Sequence, residues 1–234
     1  MKGNKHFYRQ RIIIFLFMIS LFSFDSQSQT ALRPKGFKDV KIEIPSVLLE
    51  IRYFGTHNFI GKPIDGYHKP LAILSEEAIQ KLKKIQAELK KLDLGLKIFD
   101  AYRPQSAVDS FVSWAKVESD TLMKAEFYPE IDKKDLFKLG YLATRSGHTR
   151  GSTVDLTLVH LETGKELDMG SPYDFFGKAS WTFDRSAIDN IRKNRLLLRG
   201  LMLKNNFKPY QYEWWHFTLK EEPYPNTYFN FPIE

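Results

Sequence analysis

The stretch "STVDLTLVH", Ser152 to His160, sets Val154, Leu156 and Leu158 on one side of an extended chain and Asp155 and Thr157 on the other. A period of two belongs to a β-strand with one face against apolar partners and the other free to carry polar groups. Around this strand the pattern changes repeatedly. "LGLKIFDAYRP" reads as a strand through Phe99, stopped by Pro104, and "YQYEWWHFTLK" as one aromatic-rich strand near the end of the chain. Between them lie segments of helical period. Ala78, Ile79, Leu82, Ile85, Leu89 and Leu92 mark a helix within Ser75 to Leu92, with Ser75 as N-cap and Glu76 and Glu77 in its first turn. Ala107, Val108, Phe111, Trp114 and Ala115 mark a second helix, and a third runs from about Ser186 to Asn205. Helices and strands alternate without a regular βαβ rhythm, so the expected fold is α+β, with a mainly antiparallel central sheet flanked by helices.

A chain of 234 residues, 43% of them hydrophobic, can bury one sizeable core, and no repeat or linker divides it. The first residues have the grammar of a secretory signal peptide: Lys2, Lys5, Arg9 and Arg11, an apolar run from Ile12 to Phe24, then small and polar residues. That run is short for a membrane span of about 20 residues. The expected organisation is therefore a leader over 1–28 and one domain over 29–234, exported to the periplasm or the exterior, with no membrane anchor once the leader is cleaved. There is no cysteine to carry a lipid or form a disulfide. Of the formal charge of +7, the leader's four basic residues and Asp25 account for +3, leaving +4. The remaining basic residues are interleaved with acids, as in "KKIQAELKKLD", which suits a solvated helix face and argues against nucleic acid as a partner.

Three short motifs can carry chemistry. "SGHTRGSTVD" holds His148 in a polar turn and Asp155 on the following strand; alone, this pair reads first as a turn histidine with a structural aspartate, because polar turns before strands are common, and second as two metal ligands. "EWWHF" sets Glu213 three residues before His216, beside two tryptophans that suggest burial. Strict alternation would send Glu213 and His216 to opposite faces, so a shared site requires a bulge, a strand end or a strong twist. "DAYRP" places Arg103 where a strand becomes a turn; it could stabilise a developing oxyanion, or simply pair with Asp100 or Asp109. His57, His68 and His160 have no motif partner, and the aromatic cluster from Tyr224 to Phe231 reads as packing.

Together the three motifs resemble the zinc D-alanyl-D-alanine dipeptidases, relatives of the cell-wall D,D-carboxypeptidases. "EIRYFGTHNFIGKPIDGY" and "EEPYPNTYFNFP" extend the likeness over nearly the whole mature chain. One position departs from the family pattern: Thr153 stands where alanine is usual. The resemblance implies one zinc ion per chain, bound by His148, Asp155 and His216, with Glu213 as general base and Arg103 stabilising the oxyanion. It places Ser146 near the dipeptide and Asp174, in "MGSPYDFFG", against the free ammonium; Tyr53 is a further candidate for that end, with a core position as its alternative. The implied reaction is hydrolysis of D-Ala-D-Ala to two D-alanines, and the alternative is D,D-carboxypeptidase or endopeptidase action on peptidoglycan stem peptides. Oligomeric state is not encoded in these motifs.

Overall fold

A computed structural model describes residues 32–234; the leader expected over residues 1–28 lies outside them. In chain order the elements are β1 (Phe37–Asp39), α1 (Val40–Glu43), β2 (Leu48–Leu49), β3 (Ile73–Ser75), α2 (Glu76–Lys90), β4 (Leu94–Asp100), α3 (Gln105–Ala115), α4 (Lys124–Phe127), β5 (Thr153–His160), α5 (Asp189–Lys204), β6 (Phe207–Tyr210) and β7 (Glu213–Leu219). The main sheet has the order β2-β4-β5-β7-β6, with only the β2–β4 pair parallel; β1 and β3 form a separate antiparallel pair. The fold is α+β with a mainly antiparallel sheet, as the patterning predicts. None of the helices in the described residues is long and apolar enough to cross a membrane.

The apolar stripe of α2 is what draws it onto the sheet. Ser75 Oγ accepts from the Ala78 N–H at 3.4 Å, which caps the first turn. Ala78, Ile79, Leu82, Ile85 and Leu89 are all buried, each of the larger ones contributing about 1.5–3 kcal/mol. Gln86 then ties the helix to β4 and the chain before β2: its Oε1 accepts from Leu96 N at 2.9 Å, and its Nε2 donates to Ser46 Oγ at 3.1 Å. Leu92, expected on the same stripe, is exposed instead. The helix ends at Lys90, and Asp93 turns the chain into β4 with a φ of 56°. The third helix begins at Asp189 rather than near Ser186, because Asp184 accepts from both the backbone and the hydroxyl of Ser186 and holds that stretch as a turn.

β5 is central, and both of its faces are buried. Val154, Leu156 and Leu158 enter the apolar core as expected, but Thr153, Asp155 and Thr157 are also shielded from water. The polar face is thus an interior site rather than a solvated surface.

"YQYEWWHFTLK" is not one strand. The chain reverses through Gln211 and Tyr212, so β6 ends at Tyr210 and β7 begins at Glu213. Pairing between the two jumps from Pro209↔Phe217 to Tyr210↔Glu213, so one step on β6 spans four on β7. Pro209 has no N–H to donate, which suits it to an edge strand at this break. The irregularity that a shared Glu213–His216 site requires is therefore present, next to the hairpin.

Two glycines give a paired test of backbone and packing. Gly151 has a φ of +79°, and a Cβ there would lie 2.1 Å from Phe37 Cε1, in the cluster of Phe37, Tyr224, Phe229 and Phe231. Gly200, inside α5, has nothing within 4 Å of an added Cβ. Gly151→Ala should cost about 2–4 kcal/mol, from left-handed strain and overpacking. Gly200→Ala should add about 0.5–1 kcal/mol by removing helix-interior glycine. Thermal denaturation of the two variants should therefore shift in opposite directions.

Candidate active site

Strand register does most of the positioning. Asp100 on β4 is the partner of Asp155 on β5, and Asp155 is the partner of His216 on β7, which makes one row across three antiparallel strands. Neighbours in such a row share a face and lie within side-chain reach. His148 reaches the row from a helical turn, His148–Arg150, that closes on left-handed Gly151. That turn is fastened from both sides: Arg103 N–H donates to the His148 carbonyl at 3.4 Å, and Phe229 N–H to the Thr149 carbonyl at 3.0 Å.

Hydrogen bonding sets the tautomer of His148. Its Nδ1 lies 2.7 Å from the Ala101 carbonyl, which can only accept, so Nδ1 carries the proton and Nε2 presents a lone pair. Nε2 lies 3.3 Å from Asp155 Oδ1 and 3.3 Å from His216 Nδ1, and His216 Nδ1 lies 3.1 Å from the same oxygen. Asp155 Oδ1 is buried and receives no hydrogen bond, although both rings stand beside it. Three donor atoms in a near-equilateral triangle are what a tetrahedral ion needs: metal–ligand arms of about 2.0–2.1 Å give edges of about 3.3–3.4 Å. His148, Asp155 and His216 therefore fit a metal, and the donor set of two imidazoles and a carboxylate suits zinc.

The surroundings hold these three side chains in place. Asp155 Oδ2 accepts from the Tyr173 hydroxyl at 3.1 Å. Burial opposes the charge of Asp155, but His148 and His216 more than offset it and hold the carboxyl well below the usual range. Asp100 Oδ1 accepts from the Tyr67 hydroxyl at 2.6 Å, and its Oδ2 accepts from Arg103 Nε at 2.9 Å, with Nη2 of the same guanidinium paired to it at 2.8 Å. Arg103 is thus paired with Asp100, one of the two alternatives read from the sequence, and it also faces the site, 3.7 Å from Asp155. Asp109, the other partner considered, is hydrogen-bonded by Gln105. The guanidinium carbon of Arg103 lies 4.9 Å from the Tyr53 ring and 5.2 Å from that of Phe111, which fixes its orientation further.

Glu213 Oε2 stands 3.5 Å from His216 Nδ1. Burial pushes its carboxyl up to about 7, with His216 pulling back toward the charged form. Asp174 accepts from the Tyr53 hydroxyl at 2.8 Å and has a left-handed backbone, φ 62°. Burial drives its carboxyl well above the usual range, and the nearby Asp155 charge adds to that. Tyr53 is buried and lines the cavity as well, so its core and site readings coincide. Ser146 Oγ accepts from His148 N–H at 3.2 Å, at the cavity wall. All eight residues singled out from the sequence line one cavity of about 200 Å³. His57, His68 and His160 are exposed and away from it.

Sequence reasoning passed over Asp100 and Tyr173 as parts of the site. Asp100 opens "DAYRP" and reads there only as a partner of Arg103, and Tyr173 precedes Asp174 in "MGSPYDFFG"; only the cross-strand register and the Tyr173–Asp155 bond bring them to the site.

The family described as D-ala-D-ala dipeptidase, peptidase M15, matches residues 33–234. This chain belongs to that family. It is 40% identical to the D-alanyl-D-alanine dipeptidase of Enterococcus faecalis over 85% of this chain and 98% of the relative. It is 42% identical to that of Streptomyces coelicolor, over 81% and 94% of the two chains, and 31% identical to that of Escherichia coli K12, over 78% and 84%. The protein is accordingly an enzyme of the peptidase M15 hydrolases. Its departure from the dipeptidase pattern at Thr153 is accommodated locally: the Thr153 and Thr218 hydroxyls share a buried 2.9 Å hydrogen bond across β5 and β7, beside the ligand row.

Metal titration tests the donor triangle. Zinc at a hundredfold excess over its Kd should stabilise the metal-free protein by about 2.7 kcal/mol, raising Tm by about 5–10 °C. Asp155→Ala should abolish the rise. Burial disfavours protonated His216, but Asp155 and Glu213 outweigh it and raise the ring's pKa, so protons should compete with zinc there as pH falls. The zinc-induced rise should shrink as pH falls from 8 to 6.

Proposed function

We propose that this enzyme is a zinc-dependent dipeptidase that hydrolyses D-Ala-D-Ala to two D-alanines, with Glu213 as general base. The observation that carries the reading is the closure of the His148, Asp155 and His216 donor atoms to 3.1–3.3 Å, with Glu213 beside them and the buried Asp174 on the same cavity wall. The cavity of about 200 Å³ is below the ~300–1,000 Å³ of drug-sized ligand sites, which favours a very short peptide. The names of the relatives, all D-alanyl-D-alanine dipeptidases, support the same substrate.

Zinc held by the two histidines and Asp155 would lower the pKa of water toward about 7 and polarise the scissile carbonyl. The protein's own groups then divide the remaining work. Glu213 accepts a proton from the attacking water at its Oε atoms and passes it to the amide nitrogen as the C–N bond breaks. A carboxyl already pushed toward neutrality by burial is suited to both halves of that transfer. Arg103, held through Nε and Nη2 by Asp100, offers N–H groups to the oxygen that gains charge. Asp174, oriented by the Tyr53 hydroxyl, receives the substrate's ammonium, whose charge restores the carboxylate form that burial disfavours. An N-acylated peptide has no such charge and leaves Asp174 unmatched. This separates a dipeptidase from a carboxypeptidase or endopeptidase acting on stem peptides.

Glu213→Ala should retain stoichiometric zinc and lose roughly 10³-fold in kcat, whereas His216→Ala should lose both zinc and turnover. The parent enzyme should cleave D-Ala-D-Ala and leave N-acetyl-D-Ala-D-Ala intact. Efficient cleavage of the acetylated peptide would replace the dipeptidase reading with the carboxypeptidase one.

We also propose that the enzyme is exported and acts on dipeptide released outside the cytoplasm, on the strength of the basic and apolar leader in residues 1–28. Cell fractionation should find a mature chain beginning near Gln29 outside the cytoplasm; a full-length cytoplasmic protein would reverse this assignment.

A further inference from the structure

A dipeptide is a zwitterion, and Asp174 answers only one of its charges. A carboxylate brought into a half-open cavity loses part of its hydration, so a cation on the wall is the natural partner for the other end. Among the described residues that line the cavity, the two arginines are Arg103 and Arg145. The guanidinium of Arg103 is already committed: its Nε bonds Asp100, with Nη2 2.8 Å from the same oxygen, it packs against the rings of Tyr53 and Phe111, and its remaining N–H groups are those assigned to the oxygen that gains charge. Arg145 takes part in no ion pair among the described residues. It is exposed, one residue before Ser146 and three before His148, and its guanidinium carbon lies 4.9 Å from the Tyr228 ring centre. Arg150 also faces Tyr228, at 5.8 Å, but is held by Glu222 through two bonds of 2.8 and 2.7 Å. Arg145 therefore has cavity access, an uncommitted planar fork of donors, and an aromatic face that limits its freedom.

We propose that Arg145 binds the carboxylate of the substrate's C-terminal residue, forming with Ser146 the subsite opposite in charge to Asp174. The proposal rests on the dipeptidase reading. It makes selection depend on both ends of the substrate: the free ammonium at Asp174 and the free carboxylate at Arg145. A guanidinium can meet a carboxylate with two parallel N–H···O bonds, which a carboxamide cannot reproduce. Discrimination between acid and amide is therefore the signature of this residue.

The experiment compares D-Ala-D-Ala with its C-terminal carboxamide in the zinc-loaded parent and in Arg145→Met, with Arg145→Lys as the charge-conserving variant. Loss of one charged contact corresponds to roughly a 10- to 150-fold change. Arg145→Met should lower kcat/KM for the acid by that factor, mainly through KM, while changing that for the amide less than threefold. Arg145→Lys should keep part of the preference for the acid. Equilibrium binding in the slow Glu213→Gln background should show the same loss for the acid without reference to turnover. Equal losses for acid and amide, or no loss for either, would overturn the role of Arg145. If instead the parent neither cleaves D-Ala-D-Ala nor binds it in the Glu213→Gln background, the dipeptidase reading fails, and this subsite fails with it.

Discussion

Asp155 is a carboxylate buried in the middle strand of a five-stranded sheet, and much of the surrounding structure serves to keep its charge there. An isolated buried carboxylate would take up a proton rather than bear its desolvation cost. Here two imidazoles stand within 3.3 Å of one oxygen, and a tyrosine hydroxyl bonds the other. One oxygen, Oδ1, receives no hydrogen bond, which leaves it free to meet a cation. The turn at His148, the break in pairing before His216 and the Asp100–Arg103 pair all converge on this carboxylate.

Rigidity of the site follows from where its supports are anchored. Ala101 orients the His148 ring from the end of β4, and Asp100, one residue earlier, fixes Arg103 while accepting from Tyr67. These contacts come from the end of a strand bonded on both sides and the residue just after it, so the orientation of the His148 ring and the direction of the arginine depend on the same segment. Removing Asp100 would leave a buried guanidinium without its counter-charge, a loss of about 3–5 kcal/mol in comparable buried pairs. Positioning and stability are therefore coupled in this part of the molecule.

Asp174 and Glu213 are two carboxyl groups that one cavity places in different surroundings, which suits them to the different tasks proposed for them. Both are pushed toward neutrality by burial, but Glu213 has His216 beside it, whereas Asp174 faces the Asp155 charge and a tyrosine hydroxyl. The first is poised to exchange a proton near neutral pH; the second gains most from an incoming cation. Asp174 also sits at a positive φ outside a glycine, a conformation that costs energy and recurs where side-chain direction matters.

Much of the molecule was legible in the order of its residues. The stripe from Ala78 to Leu89, the alternation in "STVDLTLVH" and the cap at Ser75 report local periodicity, and local periodicity survives folding because it dictates which face must leave water. His148, Asp155, Glu213 and His216 could be singled out as candidates for a similar reason: few residue types can bind a metal or move a proton, their spacing resembles a known pattern, and the fold brings all four to one cavity. Other features depended on contacts between distant segments. The hairpin that splits "YQYEWWHFTLK", the pairing jump from Pro209 to Tyr210, the burial of both faces of β5 and the exposure of Leu92 are set by which strand lies alongside which. So are the support of His148 by Ala101 and the choice of Asp100 over Asp109 as partner of Arg103. The sequence alone determined the chemistry the chain can carry; tertiary structure decided that Asp100, Asp155 and His216 share one row, because register is a relation between strands and not a property of any one of them.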